Sequence, residues 1–189
     1  MKVQKLNNVK IPDLVKLHYE CLPHEFLTSI SSNFLQGFYA NLLSSRNAIY
    51  LGVLEKNLLI GALVCLTKDY KPLIYNYLSF FMLICANFFS LLFQPQKIFF
   101  FWQSFYFKKK FPQETEIFFI GVRKKYQNKG IGKLLLIELS NLLKPQYQTI
   151  TVDCKQKLPA NNFYKHNGFK AVKNFNLYYE KWTRYKKSL

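Results

Sequence analysis

Residues 116 to 132, EIFFIGVRKKYQNKGIG, constrain the fold more than any other stretch of the chain. A hydrophobic run ends in a basic turn, Gln127-Asn128-Lys129-Gly130-Ile131-Gly132 follows, and the chain then enters the apolar-periodic KLLLIELSNLLK. A strand, a tight turn and a helix are predicted in that order. Glycines between a strand and a helix leave main-chain N–H groups uncovered and aim them, with the positive end of the helix dipole, at an anion. The unit is a ready seat for a pyrophosphate-like group.

The flanking segments alternate. Residues 2 to 6 suit a short strand, and an amphipathic helix is predicted from Ile11-Pro12-Asp13 to about Cys21, ended by Pro23. A second helical segment, residues 25 to 44, carries Phe26, Leu27, Ile30, Phe34, Leu35, Phe38, Tyr39, Leu42 and Leu43 on one broad face. AIYLGVLE and LLIGALVCLT read as strands joined by the tight Lys56-Asn57 turn. Beyond the seat come the strand TITVDC, a short helix from about Pro159 to His166, a turn at Asn167-Gly168, and two terminal strands, FKAV and NLYYEKW. The pattern predicts an α/β (α+β) chain with a mixed central sheet flanked by helices.

With 189 residues, one domain accounts for the whole chain. Cys21, Cys65, Cys85 and Cys154 are scattered and lack C-x-x-C spacing, and MKVQKLNNVK has no apolar run behind its charge. Both point to a reduced, cytoplasmic protein without a secretory leader. Three histidines without H-x-H or H-E-x-x-H spacing predict no metal site. The net charge of +17 suits phosphate-rich small molecules, an anionic membrane surface or nucleic acid. No recognition motif supports the last, so no nucleic-acid partner is expected.

Between Lys71 and Lys97 there is no charged residue. At helical steps Asn76, Ser79, Asn87, Ser90 and Gln94 fall within an arc of roughly 80°, opposite a face of Leu, Ile and Phe. A single membrane crossing would place strands of one sheet on opposite sides of a bilayer, and the second apolar run, IFFFWQSFYF, is about half the roughly 20 residues a second crossing needs. Two readings survive for the insert of about residues 71–113: a helix packed on the domain or on a second copy in a homodimer, and a helix lying on the inner face of a membrane, with contact through residues 73–107.

The Q-x-x-G-x-G spacing at 127 to 132, its strand-turn-helix context, the strand at 149 to 154, and Tyr164 followed by Gly168-Phe169 resemble the GNAT superfamily of acyl-CoA N-acyltransferases. The resemblance covers about residues 114 to 172 and implies acetyl-CoA as cosubstrate. It implies that Gln127, Asn128, Lys129, Gly130, Ile131, Gly132 and Lys133 form the pyrophosphate loop, that Arg123 and Lys129 add charge nearby, and that main-chain groups of Ile120 and Val122 pair with the pantetheine arm. Tyr164 resembles the tyrosine that protonates the departing thiolate, and Glu116 stands where lysine-acetylating members carry a catalytic glutamate. Lys157 replaces an asparagine that many members use on the cofactor, and Asn161 is the candidate substitute.

His18, His24 and Glu25 lie in the region that lines the acceptor pocket of such enzymes, and are candidates for substrate contact. An H-x-x-x-x-P pattern followed by F-L-T, with the aromatic insert, is similar to members associated with bacterial surface-polysaccharide synthesis, which implies an amino-sugar acceptor. A protein or small-molecule amine, and a catalytically inactive membrane-surface module using residues 73–107, are the alternatives.

Overall fold

The computed structural model describes residues 1–6, 11–23, 25–44, 47–68, 114–177 and 179–189. Among the described residues seven strands form one sheet in the order β1-β2-β3-β4-β5-β7-β6, where β1 is Val3–Lys5, β2 Ala48–Glu55, β3 Leu58–Leu66, β4 Glu116–Val122, β5 Thr149–Lys155, β6 Lys170–Leu177 and β7 Glu180–Ser188. Every pairing is antiparallel except β4 with β5. Helices α1 (Ile11–Cys21), α2 (Phe26–Ile30) and α3 (Ser32–Ser44) precede β2, α4 (Ile131–Leu143) joins β4 to β5, and α5 (Ala160–His166) follows β5. The expected α/β class with a mixed sheet is what the chain forms.

Alternating side chains divide the interior between the two faces of the sheet. Leu51, Val53, Ile60, Leu63, Ile117, Ile150, Val152 and Cys154 pack with Leu135, Leu136, Leu139 and Leu143 of α4. On the other face Tyr50, Ala62, Val64 and Phe119 pack with Leu14 and Leu17 of α1 and Leu35, Tyr39 and Leu42 of α3. The β2–β3 hairpin turns on Lys56 (φ 47°) and Asn57 (φ 64°), the pair of positive φ angles that a tight primed turn demands.

Two expected elements differ. The single helix over residues 25 to 44 is interrupted at Ser31, which is extended (φ −169°, ψ 160°) and whose Oγ accepts from the N–H of Phe34 at 3.0 Å. A serine N-cap starts a new helix there, and a continuous apolar face gives no hint of it. The terminal hairpin turns inside NLYYEKW, at Tyr179 (φ 59°), so Asn176 and Leu177 end β6 and Glu180 begins β7.

The register of β4 shapes the middle of the sheet. Phe119 pairs with Val64 and Ile117 with Cys65, which leaves Phe118 as an extra residue in β4. Phe118 packs on Phe38 (ring centroids 5.2 Å apart) and Phe119 stacks on His18 (4.6 Å), so consecutive residues face the α1/α3 side, as a β-bulge permits. A bulged strand bends. Among the described residues, β5 pairs with β4 only at Glu116 opposite Thr151, and the strands part beyond that point.

Candidate active site

The parting of β4 and β5 leaves main-chain groups facing a gap. Arg123 N–H bonds to Ile60 O of β3 at 2.9 Å, and since antiparallel pairs alternate between bonded and non-bonded, Ile120 and Val122 direct their main-chain groups away from β3, toward the gap. At the C-terminal end of β4 the loop passes through two left-handed residues, Asn128 (φ 60°) and Gly130 (φ 77°), into α4. The first helical bond runs from Leu134 N–H to Gly130 O at 3.0 Å, which leaves the N–H groups of Ile131, Gly132 and Lys133 without helical partners, and among the described residues no side chain caps them. A Cβ on Gly130 would meet nothing within 4 Å, while one on Gly132 would meet the Phe163 ring at 3.1 Å. Gly130 supplies conformation and Gly132 supplies clearance.

The loop side chains divide in their use. Gln127 folds back, its Nε2 donating to Val122 O at 2.9 Å, and Ile131 is buried in the core. Asn128, Lys129 and Lys133 are exposed, with the Lys129 ammonium 5.3 Å from the centroid of the Tyr126 ring. Arg123, expected to add charge beside the anion, is committed elsewhere: its Nε donates to Leu59 O at 2.8 Å and its Nη1 to Glu20 of α1 at 2.5 Å. An arginine held by Leu59 and Glu20 in this way is an anchor for the loop.

Tyr164 lies in the core beneath α5, among the rings of Phe163, Phe169 and Tyr185 at 5.5 to 5.9 Å. Burial, reinforced by nearby Cys154, raises its phenol above the ordinary tyrosine value, so the hydroxyl stays protonated throughout the neutral range. Asn161 does not have the freedom expected of a cofactor contact. Its Nδ2 donates to Lys155 O (2.8 Å), Gln156 O (3.1 Å) and Leu158 O (2.5 Å), and its Oδ1 accepts from the Tyr185 hydroxyl at 3.1 Å. The residue holds the β5–α5 connection in shape, while Lys157 is exposed and pairs with Glu180.

Glu116 sits where the gap closes, opposite Leu66 and Thr151. Its side chain alternates with Ile117 and therefore lies on the face away from α4. That face of β5 and β7 is strongly ionic. Arg184, 7% exposed, makes a two-pronged bond to Asp153 (2.8 and 2.7 Å), and Glu114 binds Lys186 at 2.7 Å. Burial opposes the charge of Arg184, but the Asp153 bond, then Asp153, Glu116 and Glu114 as charges, raise its pKa overall. Lys155 behaves alike: burial lowers its pKa, and hydrogen bonds to Glu180 and Glu25 outweigh that. The polar alternation Thr151, Asp153, Lys155 against Ile150, Val152, Cys154 was a sequence signal for this face.

Glu25 is thus bound to Lys155 at 3.0 Å, and His24 lies outside the described residues, as does the insert of residues 71–113. His18 is 3% exposed, its Nδ1 2.6 Å from the Tyr39 hydroxyl, and burial lowers its pKa to about 4. A buried neutral ring bonded to Tyr39 is a core residue rather than a substrate contact. Because the unfolded chain binds the proton at about 6.5, stability is expected to be full above that pH and to fall by as much as roughly 3 kcal/mol toward pH 4. Urea unfolding at several pH values checks this. His18→Leu should flatten the slope, and an unchanged slope would mean other groups cause it.

Among the described residues no three His, Cys, Asp or Glu side chains are grouped to hold a metal, and no helix is long and apolar enough to cross a membrane.

A family model for an acetyltransferase (GNAT) domain matches residues 98–171. No curated protein matches the chain in sequence. Among solved structures, the ribosomal-protein-S18-alanine N-acetyltransferase of Escherichia coli is 13% identical with a TM-score of 0.63, over 99% of this chain and 92% of that one. PaiA N-acetyltransferase of Thermoplasma acidophilum, in complex with coenzyme A, is 14% identical with a TM-score of 0.59 over the full length of both. Aminoglycoside 6'-acetyltransferase type Ii is 14% identical with a TM-score of 0.64, over 100% of this chain and 97% of that one. Proteins named for such different acceptors share this fold, so the fold alone selects none.

Proposed function

We propose that the chain, whose residues 98–171 match an acetyltransferase (GNAT) domain model, is a GNAT acyltransferase that transfers acetyl from acetyl-CoA to a primary amine by direct attack in a ternary complex. The observation that carries this reading is the continuity of two features: the gap bordered by Ile120 and Val122 leads from the N–H groups of Ile131, Gly132 and Lys133 at the head of α4. An anion held by a helix N-terminus and an extended arm laid along an open strand edge are both favourable, and here one molecule can have both.

Acetyl-CoA supplies an activated acetyl group as a thioester. Ile131, Gly132 and Lys133 hold its pyrophosphate through main-chain N–H groups, and the main chain of Ile120 and the N–H of Val122 align its pantetheine arm. A primary amine is mostly protonated at neutral pH and cannot attack until it loses a proton. Glu116, on the face away from α4, takes that proton directly or through water, and Tyr164, kept protonated by burial, gives a proton to the departing sulfur. The acceptor we favour is an amino sugar of surface-polysaccharide synthesis. Support comes from the N-terminal sequence pattern and from the net charge of +17, which repels strongly cationic acceptors.

The test is a panel of amines with acetyl-CoA, read by thiol release: nucleotide-linked amino sugars, spermidine, and peptides with a free α-amine or lysine. Amino sugars are expected to give the highest kcat/KM, and Glu116→Gln to flatten the acidic limb of its pH profile. Preference for spermidine or a peptide would remove the amino-sugar assignment, and an unchanged profile would remove Glu116 as base. Failure of acetyl-CoA to bind, with recruitment to anionic vesicles, would support a membrane-surface module without catalysis instead.

A further inference from the structure

The link between α1 and α2 crosses the open end of the gap. At its start the Cys21 thiol donates to Val122 O, the last residue of β4, at 3.6 Å. Four residues later Glu25 Oε1 lies 3.0 Å from the Nζ of Lys155, the last residue of β5. The two strands that share no hydrogen bonds at this end are therefore tied through a third segment. The link is itself stiffened, since the Thr28 hydroxyl lies 2.9 Å from Leu22 O and 2.8 Å from Glu25 O. Glu25 stands at the N-cap position of α2, yet its side chain caps nothing there and reaches to β5.

Lys155 ties down a second segment. Its ammonium also binds Glu180, the first residue of β7 after the Tyr179 turn, and lies 5.5 Å from the centroid of the Trp182 ring. The Lys155 side chain is 8% exposed, against 20% for Glu25 and 25% for Glu180. Ion pairs this far from solvent are screened much less than surface pairs, and removing one partner leaves a charge stranded.

Lys155, like Glu116, lies on the face of the sheet away from α4. On the acetyl-CoA reading, a thioester reaching through the gap from the head of α4 would come out on that face, where Cys21 and Glu25 flank the opening. We propose that Lys155 is a positioning residue for acetyl transfer: it holds Glu25, at the start of α2, and Glu180, at the start of β7, beside the mouth of the gap, so that the bound acetyl group meets the amine and not water. This rests on the acetyl-CoA reading above. Excluding water from a reactive group until the second substrate arrives suppresses the side reaction.

The experiment measures thiol release from acetyl-CoA with no amine present. In that hydrolysis the oxygen of water bonds to the acetyl carbon, the carbon–sulfur bond breaks, one proton of water passes to sulfur, and acetate leaves with the other. Lys155→Met and Glu25→Gln are expected to raise this rate roughly tenfold while changing the acetyl-CoA dissociation constant less than about twofold, and Lys155→Arg to hold it at the wild-type level. The amides of residues 22, 25 and 29, whose hydrogen bonds run through this link, should exchange with deuterium roughly tenfold faster in Glu25→Gln. A Glu25→Gln protein with native circular dichroism and wild-type hydrolysis, or unchanged exchange, overturns the assignment even if Lys155→Met fails to fold. Wild-type protein that binds no acetyl-CoA would instead overturn the reading on which it rests.

Discussion

Gly132→Glu is expected to eliminate acetyl-CoA binding, with a loss of at least about 100-fold in affinity. Two effects act together. A carboxylate in the first turn of α4 places negative charge where the N–H groups of Ile131, Gly132 and Lys133 would receive the pyrophosphate, and its Cβ starts 3.1 Å from the Phe163 ring. Gly132→Ala separates them, because it keeps the steric change without the charge. The Phe163 ring edge needs to give only a few tenths of an ångström, so alanine should weaken binding by less than about tenfold. Titration calorimetry with acetyl-CoA gives both values. Wild-type affinity in Gly132→Glu would show that the anion binds elsewhere.

Tyr164→Phe should lower turnover by roughly 10² to 10⁴ and leave acetyl-CoA affinity nearly unchanged. The ring that packs with Phe163, Phe169 and Tyr185 is retained, and only the hydroxyl is lost. Thermal stability should therefore hardly move, which separates a missing proton donor from a damaged core. Since burial raises the phenol above its ordinary value, Tyr164 should put no basic limb into the kcat profile below about pH 10. Steady-state kinetics with any amine accepted by the wild type measures the effect, and full turnover by Tyr164→Phe would exclude it from the chemistry.

What could be read from the sequence was what short-range pattern determines. The run into Gly130, the period of α4 and the Lys56-Asn57 turn were legible because each is set by a few adjacent residues. The break at Ser31 was not, since a capping serine is hidden inside an otherwise helical apolar pattern. At the site, main-chain roles were easier to foresee than side-chain ones. A polar side chain spends its hydrogen bonds on whatever the fold brings near, and that partner is often remote in sequence. Arg123 meets Glu20, Asn161 meets the carbonyls of its own loop and Tyr185, and His18 meets Tyr39. Lys155 could be placed on a polar face but not between Glu25 and Glu180, because those contacts span 130 and 25 positions of the chain.

The extra residue in β4 has a kinetic meaning. Phe118 gives β4 one more residue than β3 offers to pair with it, and a strand bulged in this way bends, here where β4 parts from β5. The opening is written into the covalent chain and exists before any ligand arrives, so no strand pairing has to be broken for the first substrate to enter. The opposite face is crossed by the α1–α2 link. If the chain is the acetyltransferase proposed above, such asymmetry is expected to order the substrates, the acyl donor first into a slot already made and the amine second, and product-inhibition kinetics would show it.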